Sequence, residues 1–417
     1  MVHQFLIWQA PAPKACIRGM QKGSILLKQK CANQIACKLR TLHELSGLYI
    51  HIPFCKSACT YCNFHFTTGS RYRDSFIQHI IREYELQSHA WQEPWDTVYL
   101  GGGTPSILPE SQIELLFRHI AQKNGLVPGA EVTIEANPED IQPHKIQAWL
   151  AMGINRVSLG VQSLSDTELT AMNRVHRAED SLKSLALLNA TGFPSVNIDL
   201  IYGSQWLSNT EWEHTLKWAF DSGADHISAY ALTAETNTKL FKDISKGTLP
   251  PISEEKQAKH FEMLHEMAAK SQWDFYEISN LSKPGHRAKH NSNYWKNKPY
   301  LGLGPSAHSY DGQFKRRWNI ADNKQYVESI EKGLLNFEEE ILNESQLFNE
   351  FLLTNLRTVE GVSLSLAAKL QPTWLDKSQH TIAELSNKHF LLQEEGFIKL
   401  TMQGKLLSDY VTRELML

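Results

Sequence analysis

From Leu48 to Leu232 the chain repeats one pattern six times: a short run rich in Val, Ile and Tyr, then a longer amphipathic stretch. The runs are LYIHI (48–52), TVYLG (97–101), VTIEA (132–136), RVSLG (156–160), SVNIDLIYG (195–203) and HISAYAL (226–232). Their lengths suit buried strands. The stretches near 72–87, 111–122, 142–151 and 211–220, with further segments through Leu188, suit helices. Strands joined by helices run parallel, because each crossover carries the chain back to the end it started from. The pattern therefore predicts an α/β protein built on a parallel sheet, either open and doubly wound or a full or partial β/α barrel. Polar or Gly-bearing residues follow several strands directly: Cys55, Gly102-Gly103-Thr104, Glu135, Gln162 and Asp199. In either architecture these gather at the carboxyl edge of the sheet, where sites are built from loops.

The flanks differ. After about residue 335 a helical stripe of Leu347, Phe348, Phe351, Leu352 and Leu356 stops near Gly361, and FIKLT (397–401) lies ahead of a helix from Lys405. This reads as a small winged-helix-like domain over 336–417, following a main domain over 46–335. Residues 340–417 hold seven basic against ten acidic side chains, the wrong balance for a phosphate-binding surface. With a net charge of −3 for the whole chain, no nucleic-acid partner is expected. No stretch approaches the roughly 18 apolar residues of a spanning helix, though peripheral membrane contact stays open. Residues 1–43 carry seven Lys or Arg and no acid. Residues 1–45 are read as a disordered or mis-assigned leader, with a transit peptide and an organelle matrix as the alternative to the cytoplasm.

All six cysteines lie in the first 62 residues. Cys16, Cys31 and Cys37 match no ligand spacing, but Cys55-x3-Cys59-x2-Cys62 places three thiols in an eight-residue loop. So clustered a set is no disulfide framework and fits a reducing compartment. A zinc ion would need a fourth ligand, which His65 or His51 could supply. An iron–sulfur cluster held by three thiolates would keep one iron open.

LYIHIPFCKSACTYCNFHF (48–66) resembles the cluster loop of radical S-adenosylmethionine enzymes, whose signature is Cys-x3-Cys-x2-Cys with an aromatic, here Tyr61, before the third Cys. The resemblance implies a partial (β/α)6-type TIM barrel. It also implies a 4Fe–4S cluster on Cys55, Cys59 and Cys62, and S-adenosylmethionine bound at the fourth iron and cleaved to a 5′-deoxyadenosyl radical. By the same resemblance Tyr49, Tyr61, Gly102, Gly103, Thr104, Glu135, Gln162, Arg174, Asp199 and Ala231 fall at cofactor-contacting positions. Chemically, carboxylates suit ammonium and ribose hydroxyls, and Arg suits a carboxylate. An electron donor for the cluster is implied as a partner.

YIHIPFC, GGGTPS, GVQS and DLIYG are similar to one branch of that family, with two arms: an oxygen-independent coproporphyrinogen III dehydrogenase and a heme chaperone. The dehydrogenase arm carries a fourth cysteine where this chain has Phe64, and HNSNYW (290–295) resembles a motif of the chaperone arm. The expectation is a chaperone that carries heme to apo-hemoprotein acceptors, with catalysis left open. Propionate oxidation is the first alternative, and a zinc-binding interaction protein is the second. His290 is the candidate heme ligand, with Asn291, Tyr294 and Trp295 beside the macrocycle and His286 and His308 as rival ligands.

Overall fold

A computed structural model of the chain describes residues 46–417. The leader over 1–45, with Cys16, Cys31 and Cys37, lies outside the described residues. Six strands, β1 (Gly47–Ile52), β2 (Trp95–Gly102), β3 (Leu126–Ala136), β4 (Arg156–Gln162), β5 (Val196–Tyr202) and β6 (His226–Ala231), pair in parallel in the order of the chain. The crossovers carry α1 (Phe76–Gln87), α2 (Glu110–Lys123), α3 (Pro143–Ala151), α4 (Asp166–Ala171), α5 (Ala178–Ala190) and α6 (Asn209–Asp221). Sequential order decides between the two expected architectures. Right-handed crossovers that always advance in one direction put every helix on one face, the winding of a barrel rather than of a doubly wound sheet.

The other face is polar. Along β1 to β6 one set of alternate residues, including Leu48, Ile50, Val98, Leu100, Val132, Ile134, Val157, Leu159, Ile198, Leu200 and Ile227, joins a single apolar core with the helices. The intervening set is Tyr49 and His51, Thr97 and Tyr99, Thr133 and Glu135, Arg156 and Ser158, Asn197 and Asp199, and His226, Ser228 and Tyr230. Barrel interiors are ordinarily filled by layers of branched apolar side chains. This one instead holds a polar lumen.

The barrel does not close on itself. α7 (Lys239–Ser245) and α8 (Glu254–Lys270) lead to β7 (Asn280–Ser282), antiparallel to β6. After α9 (Lys289–Trp295), β8 (Tyr300–Leu303) adds in parallel to β1. Then β9 (His308–Tyr310), β10 (Lys315–Asn319), α10 (Asn323–Glu331) and β11 (Phe337–Ile341) extend that side as an antiparallel meander, completing an 11-stranded sheet. β11 pairs with β10 over its whole length, so the main sheet continues to Ile341.

The small domain runs α11 (Glu344–Leu356), β12 (Val362–Ser363), α12 (Leu364–Leu370), α13 (Trp374–Asn387), β13 (Leu391–Glu394), β14 (Phe397–Leu400), α14 (Met402–Leu406) and α15 (Ser408–Leu415). Its three-stranded antiparallel sheet, ordered β12-β14-β13, gives the helix–strand–helix–helix–strand–strand sequence of a winged helix. FIKLT is thus the second arm of a hairpin. The domain's core draws Tyr294, Trp295, Tyr300 and Tyr310 from the preceding segment, so the two units share one apolar interface.

Candidate functional site

The loop between β1 and α1 carries the three cysteines and is held at several points. Cys55 N donates to Thr67 O (3.0 Å) and Thr67 N to Pro53 O (2.7 Å), while Phe54 packs edge-on against Phe76. Farther along, Thr60 N donates to Met172 O (3.1 Å), Asn173 Nδ2 to Ala58 O (2.8 Å) and Ser57 Oγ to Asn173 O (3.0 Å). Lys56 pairs with the buried Asp140. Burial pushes the Cys55 thiol up to about 11 and the Cys62 thiol up to about 12. Both therefore hold their protons at neutral pH until a metal displaces them.

The glycine turn after β2 packs directly beneath this loop. Gly103 N donates to Ile52 O (2.8 Å), and a Cβ there would lie 2.8 Å from Phe54 O, 2.9 Å from Ile52 O and 3.0 Å from Cys55 Sγ. Gly102 adopts a φ of 111°, and a Cβ on it would meet the His51 ring at 2.7 Å. Thr104 Oγ1 donates to Cys55 Sγ (3.6 Å) and accepts from Asn137 Nδ2 (3.3 Å). Glu135 accepts from Tyr99 Oη (2.7 Å) and Gly102 N (3.0 Å), and burial raises its pKa. Arg174 donates to Asn137 Oδ1 (2.6 Å), Gly160 O (3.0 Å) and Cys59 Sγ (3.6 Å). Burial opposes its charge, but Tyr61, Cys59 and Glu139 outweigh that and raise its pKa. Asp199 accepts from Ser158 Oγ (3.0 Å) and Asn197 Nδ2 (2.9 Å), and its pKa too is raised by burial.

These groups surround one cavity, with about 1310 Å³ of empty space that includes open solvent at its mouth. Cys55, Cys59, Cys62, Tyr49, Tyr61, Gly102, Gly103, Thr104, Glu135, Gln162, Arg174 and Asp199 line it. Ala231 ends β6 half-buried and does not. Four buried polar atoms of its lining residues have no hydrogen-bond partner among the described residues: Thr133 Oγ1, Glu139 Oε2, Gln162 Oε1, on a residue held at φ 65°, and Arg174 Nε. Orphaned buried polar atoms are rare and point to a missing ligand. Together with three thiols and a glycine surface that a Cβ would fill, they fit a thiolate-held cluster with a polar cofactor beside it.

A single zinc ion fits poorly. Among the described residues no three His, Cys, Asp and Glu side chains converge on a point that could hold one metal ion. A four-iron cluster spreads its thiolates over different irons and needs no such convergence. The two histidines that might complete a zinc site are engaged elsewhere. His51 lies 2.8 Å from His65 O through Nε2 and 3.1 Å from Tyr49 Oη through Nδ1, while His65 Nε2 meets Asn323 Oδ1 at 2.7 Å.

HNSNYW forms α9 and lies at the other end of the barrel. His290 Nδ1 bonds Thr97 Oγ1 (2.7 Å), its Nε2 bonds Tyr294 Oη (2.8 Å), and the ring stacks on Tyr99 at 5.0 Å. Thr97 and Gly47, which a Cβ would bring within 3.3 Å of the His290 ring, belong to the first residues of their strands. The cysteines follow the last residue of β1, about 17 Å away at the rise of a strand. Glu131 caps α9 by accepting from the backbone N–H groups of Lys289 (2.8 Å) and His290 (2.9 Å). Burial lowers the His290 pKa to about 3, so the imidazole is neutral. His290, Asn291 and Tyr294 line the cavity floor, but Trp295 does not: it lies buried in the interface with the small domain, under the Arg357 guanidinium. The Trp295 ring expected beside a heme is thus packed against the core of the small domain in this structure. His286 pairs with Asp225, and His308 stacks on Trp318.

Sequence reasoning missed the lumen residues Thr133, Arg156, Ser158, Asn197, Ser228 and Tyr230, which also line the cavity. Their signal was the strict apolar–polar alternation inside runs that otherwise read as uniformly buried strands.

Residues 49–219 match the family model described as the Radical SAM superfamily. The chain is 33% identical over 379 residues to the heme chaperone HemW of Mycobacterium tuberculosis, covering 89% of this chain and 94% of that protein. It is 32% identical over 375 residues to the heme chaperone HemW of Bacillus subtilis, covering 88% and 98%. Among solved structures, coproporphyrinogen III oxidase (HemN) from Escherichia coli, a radical SAM enzyme, superposes with a TM-score of 0.79 at 21% identity over 92% of this chain and 93% of that one. That likeness is one of fold.

Proposed function

The chain belongs to the radical SAM superfamily and, within it, to the heme chaperone HemW family, and on that premise we propose that it binds heme and passes it to apo-hemoprotein acceptors. Cys55, Cys59 and Cys62 would hold a 4Fe–4S cluster. Bound there, the cluster would supply an electron at the one iron without a protein ligand. The observation that carries this assignment is that unpartnered polar atoms, Gln162 Oε1 and Arg174 Nε among them, belong to residues lining the same cavity as the three thiols.

The chain's own residues then have distinct tasks. Gly102 and Gly103 let backbone approach the cofactor. Glu135 and Asp199, kept neutral more readily by burial, accept hydrogen bonds from an ammonium or from ribose hydroxyls. Arg174, which donates to Cys59 Sγ, would supply a positive charge for the cofactor carboxylate. Three free thiols in this loop suit a reducing, cytoplasmic-type compartment. The lumen, lined by carboxylates, hydroxyls and amides, is a poor place for an apolar macrocycle. Axial ligation by His290 would break one of its two hydrogen bonds, so heme is assigned outside the floor.

The test is an anaerobic heme titration of reconstituted protein, with iron and sulfide counted. A saturable Soret shift at one heme per chain, followed by transfer to an apo-hemoprotein, is expected. Absence of saturation with four iron and four sulfide present would overturn the chaperone reading. Formation of protoporphyrinogen from added coproporphyrinogen III, with S-adenosylmethionine and a reductant under anaerobic conditions, would favour the dehydrogenase, and one zinc without sulfide would favour the interaction protein.

A further inference from the structure

The residues assigned so far use the upper part of the lumen and leave the lower part without a task. Arg156, the first residue of β4, is 5% exposed and lines this lower cavity. No acidic side chain lies within ion-pair distance of it among the described residues. Its Nη1 donates to Ser195 Oγ (2.8 Å), and Ser195 Oγ donates in turn to Asp225 Oδ1 (3.1 Å). Asp225 also accepts from Val196 N and lies 3.1 Å from His286 Nδ1, and it reaches Arg156 only through the Ser195 hydroxyl. A buried guanidinium without a facing carboxylate is expensive. On the next strand, in register with Arg156, stands Thr133, fully buried, with an Oγ1 that has no hydrogen-bond partner. Ser158, Asn197 and Ser228 complete a wall of neutral donors and acceptors, and α9 closes the bottom.

We propose that this lower chamber is a binding site for a small organic carboxylate, its anionic end taken by Arg156 and its flank by Thr133 Oγ1. One cation suits one negative charge. A doubly charged phosphate would bring a second buried charge with no second cation among the lining residues around Arg156 to meet it. The site lies below the cofactor positions and does not depend on the heme reading.

Calorimetric titration of the full, reconstituted chain with the monoanions lactate, pyruvate and butyrate, beside inorganic phosphate, tests this. At least one carboxylate is expected to bind saturably at one per chain, with phosphate excluded. Arg156→Gln should weaken it by about tenfold or more, the loss of one charge-assisted hydrogen bond. Binding should persist in Cys59→Ser, whose cluster is lost, and heme titration should be unchanged in the isosteric Thr133→Val. If Arg156→Gln does not fold, Thr133→Val alone should weaken the carboxylate measurably. Dissociation constants above about 1 mM for all three carboxylates overturn the proposal. So does equal binding of phosphate, or wild-type affinity in the folded variants.

Discussion

At the scale of single residues, the cluster loop depends on what Gly103 lacks. A methyl group there would sit within 3.0 Å of two backbone oxygens and of Cys55 Sγ, and backbone cannot swing aside as a flexible side chain can. Gly103→Ala should therefore displace the 52–55 segment at a cost of about 1–3 kcal/mol. The expected result is a folded chain that takes up fewer than four iron and four sulfide on reconstitution; full uptake would show that the loop tolerates the shift. Glu168 gives a second residue-level consequence. It is fully buried against Ser204 Oγ, and burial raises its pKa from 4.5 to about 7. Between those values the folded chain binds more protons than the unfolded one, so this residue's contribution to stability falls as pH rises through the window. Glu168→Gln should reduce the loss of melting temperature between pH 5 and pH 8, the share of this one group being at most on the order of 3 kcal/mol. An unchanged pH profile would sink the assignment.

At the scale of elements, α9 is a plug. Its His290 links Thr97, near the start of β2, to Tyr294, and both of its ring nitrogens are spent inside the protein. His290→Ala removes the ring that the buried Thr97 hydroxyl bonds to and should cost about 1–3 kcal/mol. Heme stoichiometry should hold while the denaturation midpoint falls. The opposite pattern, heme lost at unchanged stability, would restore His290 as a ligand. The six central strands were legible because each is long and bounded by turn residues, and the cysteine loop because its spacing is specific. The outer strands were not. β7 and β9 have three residues each, and β10 and β11, KRRWN and FEEEI, are charged edge strands whose composition resembles loop. The place of HNSNYW was illegible for another reason: residue types that could cover a porphyrin serve equally well to close a barrel.

At the scale of the whole molecule, the winged-helix unit is fastened to the barrel side by contacts of every kind. Arg316 pairs with Glu350 (2.6 Å), Arg287 with Glu360 (2.7 Å), Val359 N donates to Tyr276 O (3.0 Å), and Arg357 lies over Trp295. With four aromatic residues of the barrel side inside the second core, the described chain should melt in one calorimetric transition, and Trp295→Ala should lower that transition or split it. Two transitions in the wild type would mean that the shared core does not couple the units. The polar lumen bears finally on how such a sheet assembles at all. In a hairpin the turn sets which residues face each other, but strands joined by helical crossovers have no such gauge. A slip of one residue in any of β1 to β6 would drive Glu135, Asp199 or Arg156 into the helix-covered layer and turn Ile134, Ile198 or Val157 toward water. The alternation that equips the interior for ligands thus also proofreads the alignment of every strand as the chain folds.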